Sequence, residues 1–573
     1  MTRTLQTRAV QTHAVWRRPL PDVVAVLVGA LLVGGQALRL GQWIVDDAAI
    51  TYAYARSIDE GYGPAQQPGA PPVEGYSNPA WLALLVAGRR LRLFDHGALF
   101  GVSDLVWFPK VLALLCVIGM LASVAFAARA VLPGRAWAVT LLAGAAMAGN
   151  FSLVVWLFSG LENPLYGLAV TALAAVLARS VARDDLLRPR TAVLAGLLAL
   201  LAALTRPDGI VYAAAYPLAA LLLQRPGSLR PIALSGTTFA LPYAAHLLWR
   251  HAEFGRWVPN TAVAKAQRTP SPADLAHTTE LIVYAGWALA LAALACTATA
   301  LVRPDPGASR RALTAVLVPL SLALTAYGML QRDWMALYRF ATPVWTLAAF
   351  AGSLAAVTVW DRERPRGRAL LVSALVVGSV LSLAGQRPRA AAFQADPTLS
   401  MCFVADRYGR LFNTYADELA LPDAGLLLPD LGGTLLTTRL RVTDLAGLTD
   451  PAIADAYAAH DTTRLRTYVF DHVRPTFIHV HSPWSTLSGL TPETLTAHGY
   501  VPLSTRTDTG DWIRSAAVPD PTRLRALQNT TLSAIAQSTT RRNNTPTTPC
   551  GPRLTPPPPT LAGQPANPAA PVG

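Results

Sequence analysis

The segment QWIVDDAAITYAYARSIDEGYGP, residues 42–64, follows a long apolar run and carries two adjacent carboxylates, Asp46 and Asp47. They stand where a membrane-spanning helix is expected to end. A carboxylate is costly in lipid, so the pair must face water or a protein cavity. The three tyrosines of the same segment are typical of an amphipathic stretch at a membrane interface. We therefore predict that residues 41–105 form a long first external loop, with the acidic pair at its start.

The composition indicates a membrane protein with many spans. Of 573 residues, 52% are hydrophobic and only 14% are charged, whereas soluble proteins carry roughly 25% charged residues. The mean hydropathy is +0.34. The net charge of +14 comes almost wholly from arginines scattered between apolar runs. That distribution fits membrane topology better than a basic nucleic-acid-binding surface, so we expect the lipid bilayer and not a nucleic acid as partner.

Apolar runs divide the chain into candidate spans. A helix needs about 20 predominantly apolar residues to cross the hydrocarbon core, and the hydropathy profile predicts about eleven such helices. They cover residues 21–40, 106–130, 136–150, 164–182, 190–204, 209–224, 231–249, 280–302, 311–330, 337–360 and 368–385. The predicted fold class is an all-α membrane bundle over residues 21–385, followed by an extracytoplasmic α/β domain.

The arginines of the loops predict the orientation. Short arginine-rich loops alternate with longer segments of mixed charge, as the positive-inside rule requires when residues 1–20 are cytoplasmic. The inner-loop arginines are Arg129, Arg135, Arg179, Arg183, Arg188, Arg190, Arg225, Arg230, Arg303, Arg310, Arg311, Arg362, Arg364, Arg366 and Arg368. The basic start, with no A-x-A site after it, predicts an uncleaved signal anchor. We expect a multi-pass protein of the plasma membrane.

The chain changes character after the last predicted span. Residues 386–519 contain strand-length apolar stretches broken by Gly and Pro, together with a stretch of helical spacing, which predicts a small α/β domain on the outer side. Residues 520–573 are rich in Thr, Pro and Asn. Such a composition buries little apolar surface, so we predict a disordered tail.

The polar residues between the spans share one side of the predicted topology. Intramembrane ionisable groups are usually functional, and this convergence predicts a charged, water-filled cavity at the outer leaflet. The candidate site residues are Asp46, Asp47, Glu74, Glu162, Arg206, Asp208, Asn260, Lys265, Asp333, Trp334 and Arg339.

Six motifs in order resemble a known enzyme family. They are WIVDDAAITYAYAR with GYGP and VEGYSNPAWLALL, then SGLENPLYGL (Ser159–Leu168), LTRPDG (Leu204–Gly209), VPNTAVAK (Val258–Lys265), RDWMALYRFATP (Arg332–Pro343) and DLAGLTDPAIA (Asp444–Ala454). Together they resemble the polytopic GT-C glycosyltransferases, and within these the actinobacterial terminal β-(1→2)-arabinofuranosyltransferase group. The chain departs from that group at Arg332, where a glycine is expected before Asp333.

The resemblance implies transfer of a sugar, arabinofuranose in that group, from a polyprenyl-phosphate donor to a cell-envelope polysaccharide. Asp46 and Asp47 are then the expected catalytic residues, because a carboxylate must take or orient the proton of the acceptor hydroxyl. Arg206, Arg339 and Lys265 suit the phosphate leaving group. The sequence leaves open which carboxylate is essential and whether the acidic cluster binds a divalent cation through oxygen ligands.

Several residues also have simpler interpretations. Arg206 and Asp208 can pair within a tight turn, Asp333 and Glu162 can start helices, and Trp334 can anchor at the interface. The sugar could be mannose or another pentose, with protein as an alternative acceptor. The chain could also be a transporter for a lipid-linked sugar, although such proteins place polar groups at mid-membrane in repeated halves, or an envelope assembly protein without catalysis.

The histidines predict no zinc site. His472, His479 and His481 fall in the C-terminal domain without a metal-binding spacing, and His246 and His251 flank a helix end.

Overall fold

The structure is a computed structural model that describes residues 20–223, 227–265, 272–303, 308–506, 509–540 and 554–556. The predicted cytoplasmic N-terminus and signal-anchor start, residues 1–19, lie outside the described residues.

Helices occupy nearly all of the first part of the chain, because long apolar runs satisfy their backbone polar groups internally only as helices. Their bounds are Leu20–Ala37, Asp46–Asp59, Pro79–Arg90, Asp104–Val131, Ala136–Ala148, Phe151–Leu157, Asn163–Ala182, Pro189–Thr205, Ala215–Leu223, Leu229–Phe254, Asn260–Ala264, Thr279–Ala285, Trp287–Val302, Ser309–Met329, Thr342–Arg362 and Pro365–Ala395.

Within the described residues, six of these helices are long and apolar enough to cross a membrane, or up to eight if each of two bent pairs is one span. One pair bends by 105° between Ala285 and Trp287, at Gly286, whose φ of 86° favours glycine. Each of the eleven predicted ranges overlaps a helix. The helix Pro189–Thr205, however, has only 17 residues and is shorter than the candidate spans. These helices identify a membrane protein, and the count of eleven spans stays a prediction.

The C-terminal region folds around a five-stranded sheet. The strand order is Arg441–Asp444, Gly425–Leu428, Phe477–Val480, Thr509–Arg514 and Tyr500–Arg506. The first three strands are parallel and the last two are antiparallel to their neighbours. The helices of this region are Met401–Val404, Leu411–Glu418, Gly432–Thr437, Pro451–Ala458, Thr462–Thr467, Trp484–Ser488, Pro492–Ala497 and Pro521–Thr540.

The start of the predicted tail is helical. Residues Pro521–Thr540 form a helix in which Leu527 is 2% exposed and Ile535 packs on the main core. The prediction of disorder rested on the average composition of the tail, which does not show that these apolar residues lie at helical spacing. The rest of the predicted tail lies almost wholly outside the described residues.

Backbone hydrogen bonds hold the acidic pair between the helical bundle and the C-terminal region. The Val45 N–H donates to the Ser159 carbonyl at 3.0 Å, and the Asp46 N–H donates to the Leu399 carbonyl at 2.9 Å. The Met401 N–H donates to the Ile44 carbonyl at 2.9 Å. Buried backbone groups require such partners, so the loop after Leu40 has a fixed course and the direction of both carboxylates is set.

Candidate functional site

The Asp46 carboxylate is bound by backbone amides of the C-terminal region. The Gly432 N–H donates to Asp46 Oδ2 at 3.0 Å and the Gly433 N–H donates to Asp46 Oδ1 at 2.7 Å. The residue is 5% exposed. Burial raises the pKa of Asp46 well above its usual range, although the Gly433 amide opposes the shift. Both oxygens are thus taken up by protein, and Asp46 holds the two regions together.

The Asp47 carboxylate instead faces a group of charged side chains. Its Oδ2 lies 3.8 Å from Arg339 Nη1, and Arg339 Nε lies 2.6 Å from Asp333 Oδ2. The Asp47 side chain is 24% exposed. Desolvation raises the pKa of Asp47 above its usual value, and the charges of Lys265 and Arg339 oppose this without cancelling it. Asp47 is therefore an accessible carboxylate with increased basicity.

A second ion-paired group lies beside it. The Arg206 guanidinium donates to Glu162 Oε1 at 2.8 Å through Nη1 and to Asp208 Oδ1 at 2.9 Å through Nε. The Asn78 amide donates to Glu162 Oε2 at 2.9 Å. Burial by itself raises the pKa of Glu162, but Arg206 and Arg339 outweigh it, so the pKa lies below its usual value. Glu162 is thus an ionised, hydrogen-bonded carboxylate.

An aromatic ring joins the two groups. The Phe340 ring centroid lies 4.7 Å from the guanidinium carbon of Arg206 and 4.9 Å from that of Arg339. Each cation is within the range of cation–π attraction. Phe340 lies in the short 3-10 helix Arg339–Ala341, so this helix brings the ring into contact with both arginines.

A cavity of about 290 Å³ opens beside the Arg339–Asp333 pair. Its wall is the segment 331–340, together with His277, Glu280 and Tyr327, and Trp334 is 65% exposed. Lys265 is also exposed. The surrounding protein atoms and the charge of Arg339 lower the pKa of Lys265 below its usual value, while Asp47 and Asp333 oppose the shift.

Glu74 and Asn260 hold the first loop to the C-terminal region. The Arg250 guanidinium donates to both Glu74 oxygens, at 2.6 and 3.1 Å. The Asn260 N–H donates to the Glu74 carbonyl at 3.1 Å, and its side-chain amide donates to the carbonyls of Gly447 and Leu448 at 2.8 and 3.0 Å. Both Glu74 oxygens and the Asn260 side-chain NH₂ group have protein partners, so these contacts are those of a structural connection.

The structure therefore brings seven of the eleven candidate residues into one charged cluster and lays Trp334 on the adjoining cavity wall. The cluster consists of Asp47, Glu162, Arg206, Asp208, Lys265, Asp333 and Arg339. Asp46, Glu74 and Asn260 make separate contacts. Arg206 and Asp208 do pair in a turn, but Arg206 also reaches Glu162, and Asp333 pairs with Arg339 in a loop rather than starting a helix.

Four contributing residues had not been singled out from the sequence. Arg250 pairs with Glu74, Asn78 with Glu162, and Phe340 with both arginines. The Tyr166 hydroxyl donates to Asp208 Oδ2 at 2.9 Å. Tyr166 and Phe340 lie inside the recognised motifs, where they could have been selected as partners for charged groups. Nothing local indicates the pairing of Arg250, which depends on tertiary packing.

The sequence left open whether the acidic cluster binds a divalent cation. Among the described residues, the one group of three potential ligands close enough to share an ion is Asp430, His479 and His481. The spacing of the histidines in the sequence predicted no zinc site, because the third potential ligand, Asp430, follows a different strand, Gly425–Leu428.

Several solved structures are similar to this chain over most of its length. ArnT from Cupriavidus metallidurans bound to undecaprenyl phosphate is 14% identical with a TM-score of 0.53, and the match covers 87% of this chain and 99% of that one. The oligosaccharyltransferase AglB from Archaeoglobus fulgidus is 12% identical with a TM-score of 0.48, covering 87% and 75%. Arabinofuranosyltransferase AftD from Mycobacteria is 14% identical with a TM-score of 0.46, covering 88% and 42%.

No family model matches the chain and no curated protein matches its sequence. At 14% identity the likeness to ArnT concerns the fold alone.

Proposed function

We propose that this protein is a membrane glycosyltransferase that moves a sugar, arabinofuranose, from a polyprenyl-phosphate donor to a polysaccharide acceptor of the cell envelope. The single observation that carries the proposal is the position of Asp47. It is an accessible carboxylate of raised pKa, 3.8 Å from a guanidinium at the edge of a cavity. Sugar transfer from a phosphate needs this combination of a proton acceptor and a cation.

Asp47 receives the proton of the acceptor. As the acceptor hydroxyl oxygen attacks the anomeric carbon, a new C–O bond forms and the bond between that carbon and the phosphate oxygen breaks. The hydroxyl proton passes to Asp47, and the electron pair of the broken bond leaves with the polyprenyl phosphate. The raised pKa makes Asp47 a better base than a free aspartate at the same pH, as long as it is ionised.

Arg339 and Lys265 stabilise the departing phosphate. Arg339 has a planar guanidinium that already pairs with the Asp333 carboxylate. Lys265 is exposed, and its charge interacts with that of Asp47. Arg206 is buried and paired with both Glu162 and Asp208, so we assign it the positioning of Glu162 rather than direct phosphate contact. Trp334 is exposed on the cavity wall and supplies an apolar face for a sugar ring.

Two further features support a lipid-linked donor at the outer face of the plasma membrane. The arginine-rich loops favour a cytoplasmic N-terminus, which places the acidic pair and the C-terminal domain outside. Nucleotide sugars are absent there, so a lipid must carry the activated sugar. ArnT, whose fold this chain shares, is solved with undecaprenyl phosphate bound.

The test uses the full-length protein in detergent with a synthetic polyprenyl-phosphate arabinofuranose and an arabinan oligosaccharide, and reads chain extension by mass spectrometry. We expect one added pentose in the wild type and in Asp423→Asn, an exposed acid outside the cluster, and a loss of extension in Asp47→Asn. Extension with another polyprenyl-linked sugar only would overturn the arabinose assignment. Donor translocation across proteoliposomes without extension would establish a transporter instead.

A further inference from the structure

We propose that Asp430, His479 and His481 form a binding site for a divalent transition-metal ion of the zinc type. The three side chains lie at the carboxyl ends of two adjacent parallel strands, Gly425–Leu428 and Phe477–Val480. Their ligand atoms all lie within 4.8 Å of one another. The inference concerns the C-terminal domain and does not depend on the proposed transferase activity.

One ring nitrogen of His479 is buried and unpaired. Its Nδ1 lies 2.6 Å from Asp511 Oδ1, and a carboxylate accepts, so Nδ1 carries the proton. The opposite nitrogen, Nε2, then holds a lone pair. It is buried without a hydrogen-bond partner among the described residues, and His479 is 3% exposed. A buried unsatisfied nitrogen costs free energy, which a bound cation would remove.

His481 is oriented in the same way. Its Nδ1 lies 2.8 Å from the Ser482 carbonyl, which can only accept, so Nδ1 is the donor. Its Nε2 lies 2.9 Å from Asp430 Oδ2. A second proton on His481 would satisfy Asp430 but would leave His479 Nε2 without a partner. One divalent cation accepts the lone pairs of both imidazoles and the carboxylate, so it satisfies all three groups.

The surrounding contacts are those of a metal site. A carboxylate behind a ligating histidine fixes its tautomer and orientation, and Asp511 does this for His479. Asp511 is held in turn by Arg407 Nη2 at 2.9 and 3.0 Å and by the Tyr415 hydroxyl at 3.2 Å. Arg407 balances the charge of Asp511, so the net charge of the ligand group is that of Asp430 alone.

The ligand set favours zinc over magnesium or calcium. Two imidazole nitrogens and one carboxylate are borderline ligands, whereas the hard cations take oxygen ligands. Three protein ligands leave one position of a tetrahedral ion for water or another donor. Tetrahedral ligands about 2.0–2.2 Å from zinc lie roughly 3.4 Å apart, a separation that small side-chain rotations reach from the observed cluster.

A metal here would restrain the turn that holds Asp46. Asp430 is two residues before Gly432, and the amides of Gly432 and Gly433 donate to the Asp46 carboxylate. The Asp430 carbonyl accepts from the Thr434 hydroxyl at 2.8 Å. Anchoring the Asp430 side chain therefore fixes both ends of this turn, which links the metal site to the loop that carries the acidic pair.

The experiment measures metal in full-length protein purified without a histidine tag. After supplementation with zinc and dialysis, elemental analysis is expected to give about one zinc per wild-type chain. His479→Gln and His481→Gln should each lose the metal, and Asp511→Asn should bind it about 10- to 100-fold more weakly. The matched control is His472→Gln, an exposed histidine of the same domain outside the cluster, which should retain one zinc.

Cobalt substitution gives a second readout. Tetrahedral Co²⁺ with these ligands should produce visible absorption bands in the wild type and in His472→Gln, and no bands in His481→Gln. The proposal is overturned if the wild type stays metal-free, or if His479→Gln and His481→Gln both keep the wild-type zinc content while circular dichroism shows that they are folded.

Discussion

Asp46 and Asp47 are adjacent in the chain, yet their carboxylates lie in different surroundings. Asp46 accepts two backbone hydrogen bonds from Gly432 and Gly433 and is 5% exposed. Asp47 lies 3.8 Å from Arg339 with its side chain 24% exposed. Consecutive side chains at a helix start point in different directions, so an acidic pair in sequence becomes one buried structural anchor and one accessible carboxylate.

The pH dependence of transfer should show the raised pKa of Asp47. A base acts only when ionised, so kcat/KM should rise with pH through a pKa above the usual aspartate value of about 3.9. Lys265 lowers this pKa, so in Lys265→Met the rise should move to higher pH. A pH–rate profile of both proteins checks this, and a shift to lower pH would contradict it.

Arg339→Lys should weaken donor binding although it keeps the charge. Lysine has no planar fork, so it cannot hold Asp333 and a phosphate oxygen in the same geometry. We expect about a 10- to 100-fold rise in the dissociation constant of polyprenyl phosphate, from the loss of one charge-assisted hydrogen bond. The matched control is Arg303→Lys, an exposed arginine paired with Glu363 away from the cavity. Equal affinities in the two variants would argue against phosphate contact by Arg339.

Arg250→Ala should destabilise the protein strongly, because it leaves the Glu74 carboxylate buried without its ion pair. Breaking such a pair costs about 3–5 kcal/mol, and Glu74 is 2% exposed. Thermal unfolding in detergent measures the loss as a lowered Tm. The double variant Glu74→Leu with Arg250→Met removes both charges and should recover much of it. A double variant as unstable as Arg250→Ala would show that the pair is not the cause.

Gly432→Ala should separate the C-terminal region from the acidic loop. A Cβ at this position would meet the Asp46 carbonyl group, whereas one at Gly352 would meet nothing within 4 Å. Limited proteolysis between the two regions should therefore accelerate in Gly432→Ala and stay at the wild-type rate in Gly352→Ala. Equal cleavage rates would mean that the close approach of Gly432 to Asp46 does not hold the regions together.

Local patterns predicted the helical ranges, because each apolar run is an independent signal. The motifs also led to the cluster around Arg339, since polar residues at span ends on one side must share the same limited space. The partners of Asp46 could not be predicted, because Gly432 and Gly433 lie 386 and 387 residues away. The contacts of Arg250 and Asp430 could not be predicted either. Asp430 lies beside His479 because two strands pair in parallel.

The most direct test compares the single-turnover rates of Asp46→Asn and Asp47→Asn after donor binding has been shown for both. Asp47→Asn should lower the rate about 10²- to 10⁴-fold, the usual contribution of a general base, with unchanged donor affinity. Asp46→Asn should lose one hydrogen bond to Gly432 or Gly433, which lowers the Tm, and should keep its rate within about 10-fold at temperatures where it is folded. A near-wild-type rate in Asp47→Asn, with the large loss in a folded Asp46→Asn, would contradict the assignment of Asp47 as the base.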